Sequence, residues 1–268
     1  MTSCNSRSIT SWVAMASFSL LTSCGRAEIP TASEATPAAA ASSPSELVPA
    51  PQPAAVVPSA PRPGAGGADA IAVSHLCVTS GAIEPRGDTR FAITAPTFRA
   101  VSSSPTEPHA EVRFTYLGPT AETRALGSGA VRQQLGLKLR AQDPCNLVYV
   151  MWRFEPENKL VVSVKRNPGA RTSAECGNRG YSNLRGLLSA PVPPVSPGSS
   201  HALRAEIAGA TLQVWADDVL VWKGDLGAEA LAIDGPIGLR TDNVHVEAEL
   251  RGAARGAAAS CGQGGDGD

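Results

Sequence analysis

The sequence predicts an all-β fold, a two-sheet antiparallel sandwich over residues 71–251, and three observations carry that prediction. Apolar and polar residues alternate with a period of two over short runs, Gly, Pro and Asp bound those runs, and no segment carries a long amphipathic helix. The runs are Arg90–Thr94, Thr97–Val101, Glu111–Leu117, Val131–Ala141, Asn146–Phe154, Lys159–Arg166, Leu203–Ala208, Thr211–Ala216, Val219–Trp222, Ile237–Arg240 and Val244–Arg251. About eleven strands in roughly 180 residues, with turns such as Asp234-Gly235-Pro236 between them, fit two packed sheets better than repeated small units.

Sorting the middle strands by face exposes a chemical asymmetry. In Val131–Ala141, Arg132, Gln134, Lys138 and Arg140 share one face and Leu135, Leu137 and Leu139 the other. In Asn146–Phe154, Tyr149, Met151 and Arg153 oppose Val148, Val150, Trp152 and Phe154; in Lys159–Arg166, Lys159, Ser163 and Lys165 oppose Leu160, Val162 and Val164. If the three strands are neighbours, these polar faces coincide around Tyr149. Residues 131–171 hold 8 basic and 3 acidic groups, whereas residues 200–251 hold 4 basic and 9 acidic groups. The 23 Lys+Arg against 24 Asp+Glu of the whole chain therefore hide a dipolar body. With so even a total, and only 18% of residues charged, no nucleic-acid partner is expected. The preference for 19 Arg over 4 Lys, with abundant Ala, reflects a GC-rich coding bias.

The chain before the predicted body reads as an address and a tether. Arg7 is followed by an apolar stretch, Ile9 to Leu21, about thirteen residues long and too short to span a bilayer as a helix. It is read as a signal peptide, residues 1–23. Its end, Leu21-Thr22-Ser23-Cys24, resembles the lipobox of bacterial lipoproteins, which implies lipidation of Cys24, a membrane held through that anchor and a place in the cell envelope. Gly25 stands where enteric lipoproteins retained at the inner membrane carry Asp, which points to the outer membrane. Residues 24–70 are nearly all Ala, Pro, Ser and Gly; such a stretch buries too little to fold and reads as a disordered spacer. A Gly-rich tail, 252–268, follows the body.

With Cys4 removed and Cys24 lipidated, Cys77, Cys145, Cys176 and Cys261 remain for an oxidising compartment, where four cysteines allow three pairings. Cys145–Cys176 is preferred because the two flank a strand pair that turns near Pro156. Cys77–Cys261 is preferred because both lie just outside the sandwich, where its termini should meet.

The last third carries a recognisable order: His201–Ala208, Gly209, Thr211–Trp215, Asp217-Asp218, Val219–Trp222, then Gly235-Pro236-Ile237-Gly238-Leu239-Arg240 and Asp242-Asn243-Val244-His245-Val246. This resembles the end of a concanavalin A-like (laminin G-like) jelly roll, with Asp217-Asp218 standing where those domains usually carry Asp-Gly. It is also similar to the variant found in keto-disaccharide hydrolase-type lipoproteins. The resemblance implies a jelly-roll sandwich whose hollow sheet face is the ligand site.

Chemistry is sparser. Laminarinase-type members of that fold carry two Glu and an Asp on alternate positions of one strand. The nearest candidate, Glu247-Ala248-Glu249, lacks the third carboxylate and is expected to be two solvated residues. His75, His109, His201 and His245 are scattered, and no Cys-x-x-Cys, Gly-x-Ser-x-Gly or phosphate-cradling glycine loop occurs, so no metal, cofactor or catalytic triad is expected. Asp217, Asp218, Asp234 and Asp242 are read as turn residues; calcium, which some laminin G-like domains hold, is the other reading. The expected function is binding of an acidic glycan or envelope polysaccharide without catalysis, through Arg132, Gln134, Lys138, Arg140, Tyr149, Arg153 and Lys165. A sugar hydrolase or lyase, and a structural or adhesion module, are the alternatives. The loop Asn178–Asn183 is expected at the rim of that face, and Trp152 in the core.

Overall fold

The computed structural model describes residues 68–258 and Cys261. The signal segment, the lipidation site Cys24, most of the spacer and most of the tail beyond residue 258 lie outside the described residues.

In chain order the strands are β1 Asp69–Ala70, β2 Leu76–Ser80, β3 Glu84–Pro85, β4 Arg90–Ile93, β5 Thr97–Ser102, β6 Thr106–Pro119, β7 Gln133–Asp143, β8 Asn146–Glu155 and β9 Lys159–Lys165. After the short helix α1, Ser173–Cys176, come β10 Tyr181–Asn183, β11 Leu188–Ser189, β12 Ser200–Ala208, β13 Thr211–Ala216 and β14 Val219–Asp225. Helix α2, Gly227–Leu231, then leads to β15 Gly238–Asp242 and β16 Val244–Ala254. They form two antiparallel sheets. One runs β10-β9-β8-β7-β15-β5-β2; the other runs β11-β14-β13-β12-β6-β16-β4-β3, with β1 added along β16. Successive strands β4 to β7 alternate between the sheets, as do β15 and β16, so the chain wraps as a two-sheet antiparallel jelly-roll sandwich, the fold that the sequence predicts.

The period-two runs become strands because each buries alternate residues between the sheets. In β16, Val244, Val246, Ala248 and Leu250 are buried while the intervening residues are half-buried on the outside. On β7 and β8 the core side is Leu135, Leu137, Leu139, Val148, Val150 and Trp152, all fully enclosed. Trp152 meets Phe114 of the opposite sheet edge-on, with centroids 5.9 Å apart, and its indole N–H donates to Asn158 Oδ1 at 3.1 Å. A buried tryptophan keeps its polar handle satisfied in this way. Trp222 is also buried, next to buried Val221, where the β13–β14 register shifts; Trp215 takes the outer face by the plain alternation of β13, with the Arg204 guanidinium carbon 3.9 Å over its ring.

Disulfides join Cys77 to Cys261 and Cys145 to Cys176. The second ties the β7–β8 turn to α1. Asn243, between β15 and β16, has φ 55°, a left-handed conformation that Asn tolerates better than most residues. It lets the chain change sheets. Its side chain also clamps the β6–β7 connection: Nδ2 donates to Arg124 O (2.8 Å) and Arg132 O (2.9 Å), and Oδ1 accepts from Arg124 N (2.7 Å).

Candidate binding cleft

The outward face of the seven-stranded sheet forms the floor of a cleft of about 1040 Å³. The Asn243-clamped segment Arg124–Ser128, residues 141–144, Ser173, Gly177 and Asn178 also line it, and Gly127 lies against Asn178. β7, β8 and β9 are neighbours, so the three polar faces sorted from the sequence do coincide.

Register arranges the floor in rows. In one, Thr97, Asp242, Gln134, Arg153 and Lys159 lie across five strands. The next holds Arg99, Arg240, Gly136, Met151 and Val161; the third holds Val101, Gly238, Lys138, Tyr149, Ser163 and Asn183. Gly136 is required where it stands, since a Cβ there would sit 2.6 Å from Met151 Sδ and 2.3 Å from Val150 O. Beneath the charges, Ala141, Leu147, Tyr149 and Met151 form a small apolar cluster of their own. The floor is thus apolar patches set among cations, the composition of a site for a polar ligand with C–H faces.

The electrostatic centre is Asp242, 1% exposed. Its Oδ1 accepts from Arg99 Nη2 (2.8 Å), and its Oδ2 from Arg240 Nε (2.9 Å) and Gln134 Nε2 (2.6 Å). Burial alone would raise the Asp242 carboxyl, but the Arg240 and Arg99 charges and the Gln134 hydrogen bond outweigh it and hold the group below the usual aspartate range. Burial likewise works against the Arg240 charge, and Asp242 and the two tyrosines overcome it. Because a carboxylate only accepts, the Gln134 amide nitrogen must face Asp242, which leaves buried Oε1 without a partner among the described residues. Arg153 Nε is buried and unpartnered too. Burial and then the nearby Arg132 charge lower the pKa of Arg153, against a weaker pull from Glu157.

Most of the sequence-selected residues meet here: Arg132, Gln134, Lys138, Tyr149, Arg153 and Lys165 all line the cleft. Arg140 does not. The β7–β8 register shifts between Leu139 and Asp143, Arg140 takes φ 49°, and strict alternation ends one residue too early. Its Nη1 instead reaches the carbonyls of Ala230, Leu231 and Ile233 at the end of α2, at 3.2–3.4 Å. Lys159, expected on the same face, pairs with Glu157 and lies outside the lining. Lys165 lines one end and is held by Pro144 O (3.0 Å) and Gly177 O (2.9 Å). Tyr149 is not an open platform: Tyr181 stacks beside it at 6.1 Å and Arg240 lies 5.1 Å over its ring. Tyr181, from the loop expected at the rim, is the more exposed of the two at 38%, with Lys165 Nζ 5.2 Å over its ring. Burial, then Tyr149, push its phenol up to about 12.

Sequence reasoning missed Arg99, Arg240 and the role of Asp242. The signal was present as alternation in Thr97–Ser102 and Gly238–Asp242, but only the placement of β15 between β7 and β5 brings them to this face. Asp242 ends a strand in a charge cluster rather than occupying a turn. The other turn aspartates have local work. Asp217 Oδ1 accepts from Ala202 N (2.8 Å), and Asp234 pairs with Arg255 (3.0 Å). Glu247 and Glu249 are not simply solvated either, since Arg90 and Arg251 pair with them on the opposite sheet.

One histidine has unexpected company. His201 Nδ1 lies 2.7 Å from Asp217 Oδ2 and Nε2 lies 2.9 Å from Ser199 Oγ. The Ser199 hydroxyl also donates to Ser196 O (2.6 Å) and accepts from Ser196 N (3.1 Å), and the imidazole packs against Trp152 and Phe114. The cluster clamps the start of β12 to the β13–β14 turn.

No protein-family model matches the chain, and no curated protein matches it. Among solved structures it is similar to the carbohydrate binding module CBM66 from Bacillus subtilis, at 14% identity over 67% of this chain and 94% of that one, TM-score 0.44. It is similar to the carbohydrate recognition domain of Emp46p in its metal-free form, at 9% identity over 66% and 87%, TM-score 0.44. It is also similar to the Crh5 transglycosylase in complex with NAG, at 14% identity over 70% and 82%, TM-score 0.39. A likeness at this level is one of strand arrangement, and what those proteins bind does not transfer with it.

Proposed function

We propose that this protein is a lipid-anchored component of the cell envelope, held at the outer membrane through Cys24, whose sandwich binds an acidic glycan in the cleft without catalysis. The observation that carries the reading is charge imbalance. Among the described residues, Arg99, Arg124, Arg132, Lys138, Arg153, Lys165 and Arg240 line the cleft, while the lining carboxylate is Asp143. Asp143 is committed to its own turn, accepting from Cys145 N (2.8 Å) and Asn146 Nδ2 (2.9 Å). Buried Asp242 offsets part of the charge of Arg99 and Arg240, and the cleft keeps a positive balance that favours an anion. The apolar floor and Tyr181 suit the C–H faces of sugar rings, and the volume suits a short oligosaccharide. Two disulfides in the described body fit an oxidising compartment, which supports the envelope reading.

The test is titration of the protein with oligogalacturonate, heparin-type oligosaccharide and a neutral cello-oligosaccharide, with product analysis on each. The reading expects binding of an acidic member that weakens as salt rises, weaker binding of the neutral one, and no shortened or unsaturated fragments. Equal affinity for acidic and neutral sugars, or no binding to any, contradicts the ligand class. Fragment release contradicts the non-catalytic part alone.

A further inference from the structure

The cleft's charge is not spread evenly. At its centre Asp242 offsets one of the two charges of Arg99 and Arg240, and at one end Lys165 is bound to two backbone carbonyls. At the other end Arg132, just before β7, and Arg153, the cross-strand partner of Gln134, both line the cleft, and the Arg132 charge bears on Arg153. Glu157 is the acidic group that acts on Arg153 there, and it is paired with Lys159. Arg153 Nε is buried without a partner in the same row as Gln134, whose Oε1 is equally unpartnered; the two residues are direct cross-strand partners. Gln134 is 2% exposed. Two buried polar atoms of opposite hydrogen-bonding sense, one a donor and one an acceptor, thus belong to cross-strand neighbours on the cleft floor.

Resting on the acidic-glycan reading, we infer that Arg132 and Arg153 form the subsite that takes the anionic substituent of the sugar, a carboxylate or a sulfate, while Gln134 Oε1 accepts from a hydroxyl of the same ring. The pairing follows from the donor inventory. Guanidinium groups present donors only and suit a planar or tetrahedral oxyanion, whereas an amide oxygen fixed by Asp242 offers a lone pair that a ring hydroxyl can fill. Leaving either atom dry is unfavourable, so a ligand that satisfies both at once gains specificity as well as affinity. A neutral sugar would satisfy Gln134 and leave the two arginines repelling each other.

The experiment measures affinities of the full chain and of Arg153→Gln, Arg132→Gln and Tyr181→Ala for oligogalacturonate, its methyl ester and a heparin-type oligosaccharide, with a urea midpoint for each variant to confirm folding. The inference expects the wild type to prefer an acidic ligand over the ester by about tenfold or more. Arg153→Gln and Arg132→Gln should each erase most of that preference without weakening the ester, while Tyr181→Ala weakens acid and ester alike. Preference for the uronate identifies a carboxylate; preference for the heparin type identifies a sulfate. An acid preference that survives in both arginine variants overturns the subsite and leaves the broader reading standing. A wild type with no acid preference overturns both. Arg132, which precedes β7 rather than standing inside a strand, keeps the test decisive should Arg153→Gln fail to fold.

Discussion

The two outer faces of the sandwich both carry arginines, and comparing them shows that pairing rather than number distinguishes a surface from a site. On the nine-stranded sheet each of Arg90, Arg113, Arg204 and Arg251 has a glutamate within reach: Glu247 at 3.3 Å, Glu111 at 2.5 Å, Glu206 at 2.6 Å and Glu249 at 2.7 Å. Charges of both signs alternate there, as on a solvated sheet face that discourages edge and face association. The seven-stranded sheet instead concentrates cations over an apolar floor, compensates the central two with one buried aspartate, and leaves polar atoms of Arg153 and Gln134 unpartnered. The first face pairs its charges, although Arg204 Nη2 and His109 Nε2 are buried there without partners among the described residues. On the proposed reading, the second is completed by a ligand.

The sharpest way to break this contrast is to remove the compensation at the centre of the cleft. Asp242→Ala leaves Arg99 and Arg240 enclosed without their counter-charge and should lower unfolding free energy by about 3–5 kcal/mol in urea titration. A loss below about 1 kcal/mol would mean that water reaches these guanidinium groups freely. The same carboxylate sets an acid limit. Its folded-state pKa lies below its unfolded value, so its contribution is present above the ordinary aspartate pKa of about 3.9 and is lost as pH falls through the depressed folded value. Wild-type stability should therefore drop below about pH 4, and part of that drop should vanish in Asp242→Asn.

A smaller effect comes from the covalent frame. Replacing Cys77 and Cys261, which line the cleft, by Ser should cost about 2–4 kcal/mol, read as a lower urea midpoint. Smaller still is the opposite face: Glu247→Gln should change stability by less than about 1 kcal/mol and leave glycan binding alone, because its partners are exposed.

Much of this contrast can be read in the sequence, and the parts that cannot have identifiable causes. The period-two runs yield the long strands, and face-sorting of Val131–Ala141, Asn146–Phe154 and Lys159–Arg166 yields one half of the cleft floor. Short edges such as Glu84–Pro85 and Leu188–Ser189 leave no alternation, since their residues stay exposed. Arg140 misleads because alternation presumes an unbroken ladder, and the bulge before Asp143 redirects the side chain to α2. Arg240 and Asp242 lie a hundred residues beyond the strands they complete, so only the non-local insertion of β15 beside β7 makes them part of the site. Tyr149 looks like a platform in isolation and is covered by Arg240 and Tyr181 for the same reason.

The central claim, that the cleft face and not overall charge recruits the anion, is tested most directly by matched charge reversals. Arg132→Glu with Arg153→Glu alters the cleft, and Arg90→Glu with Arg113→Glu alters the opposite sheet by the same net charge. Retention of both proteins on an acidic polysaccharide column is compared with wild type at one salt concentration. The account predicts that the cleft pair loses retention while the opposite-face pair keeps most of it. Equal loss in both would contradict the account and reduce the binding to non-specific attraction.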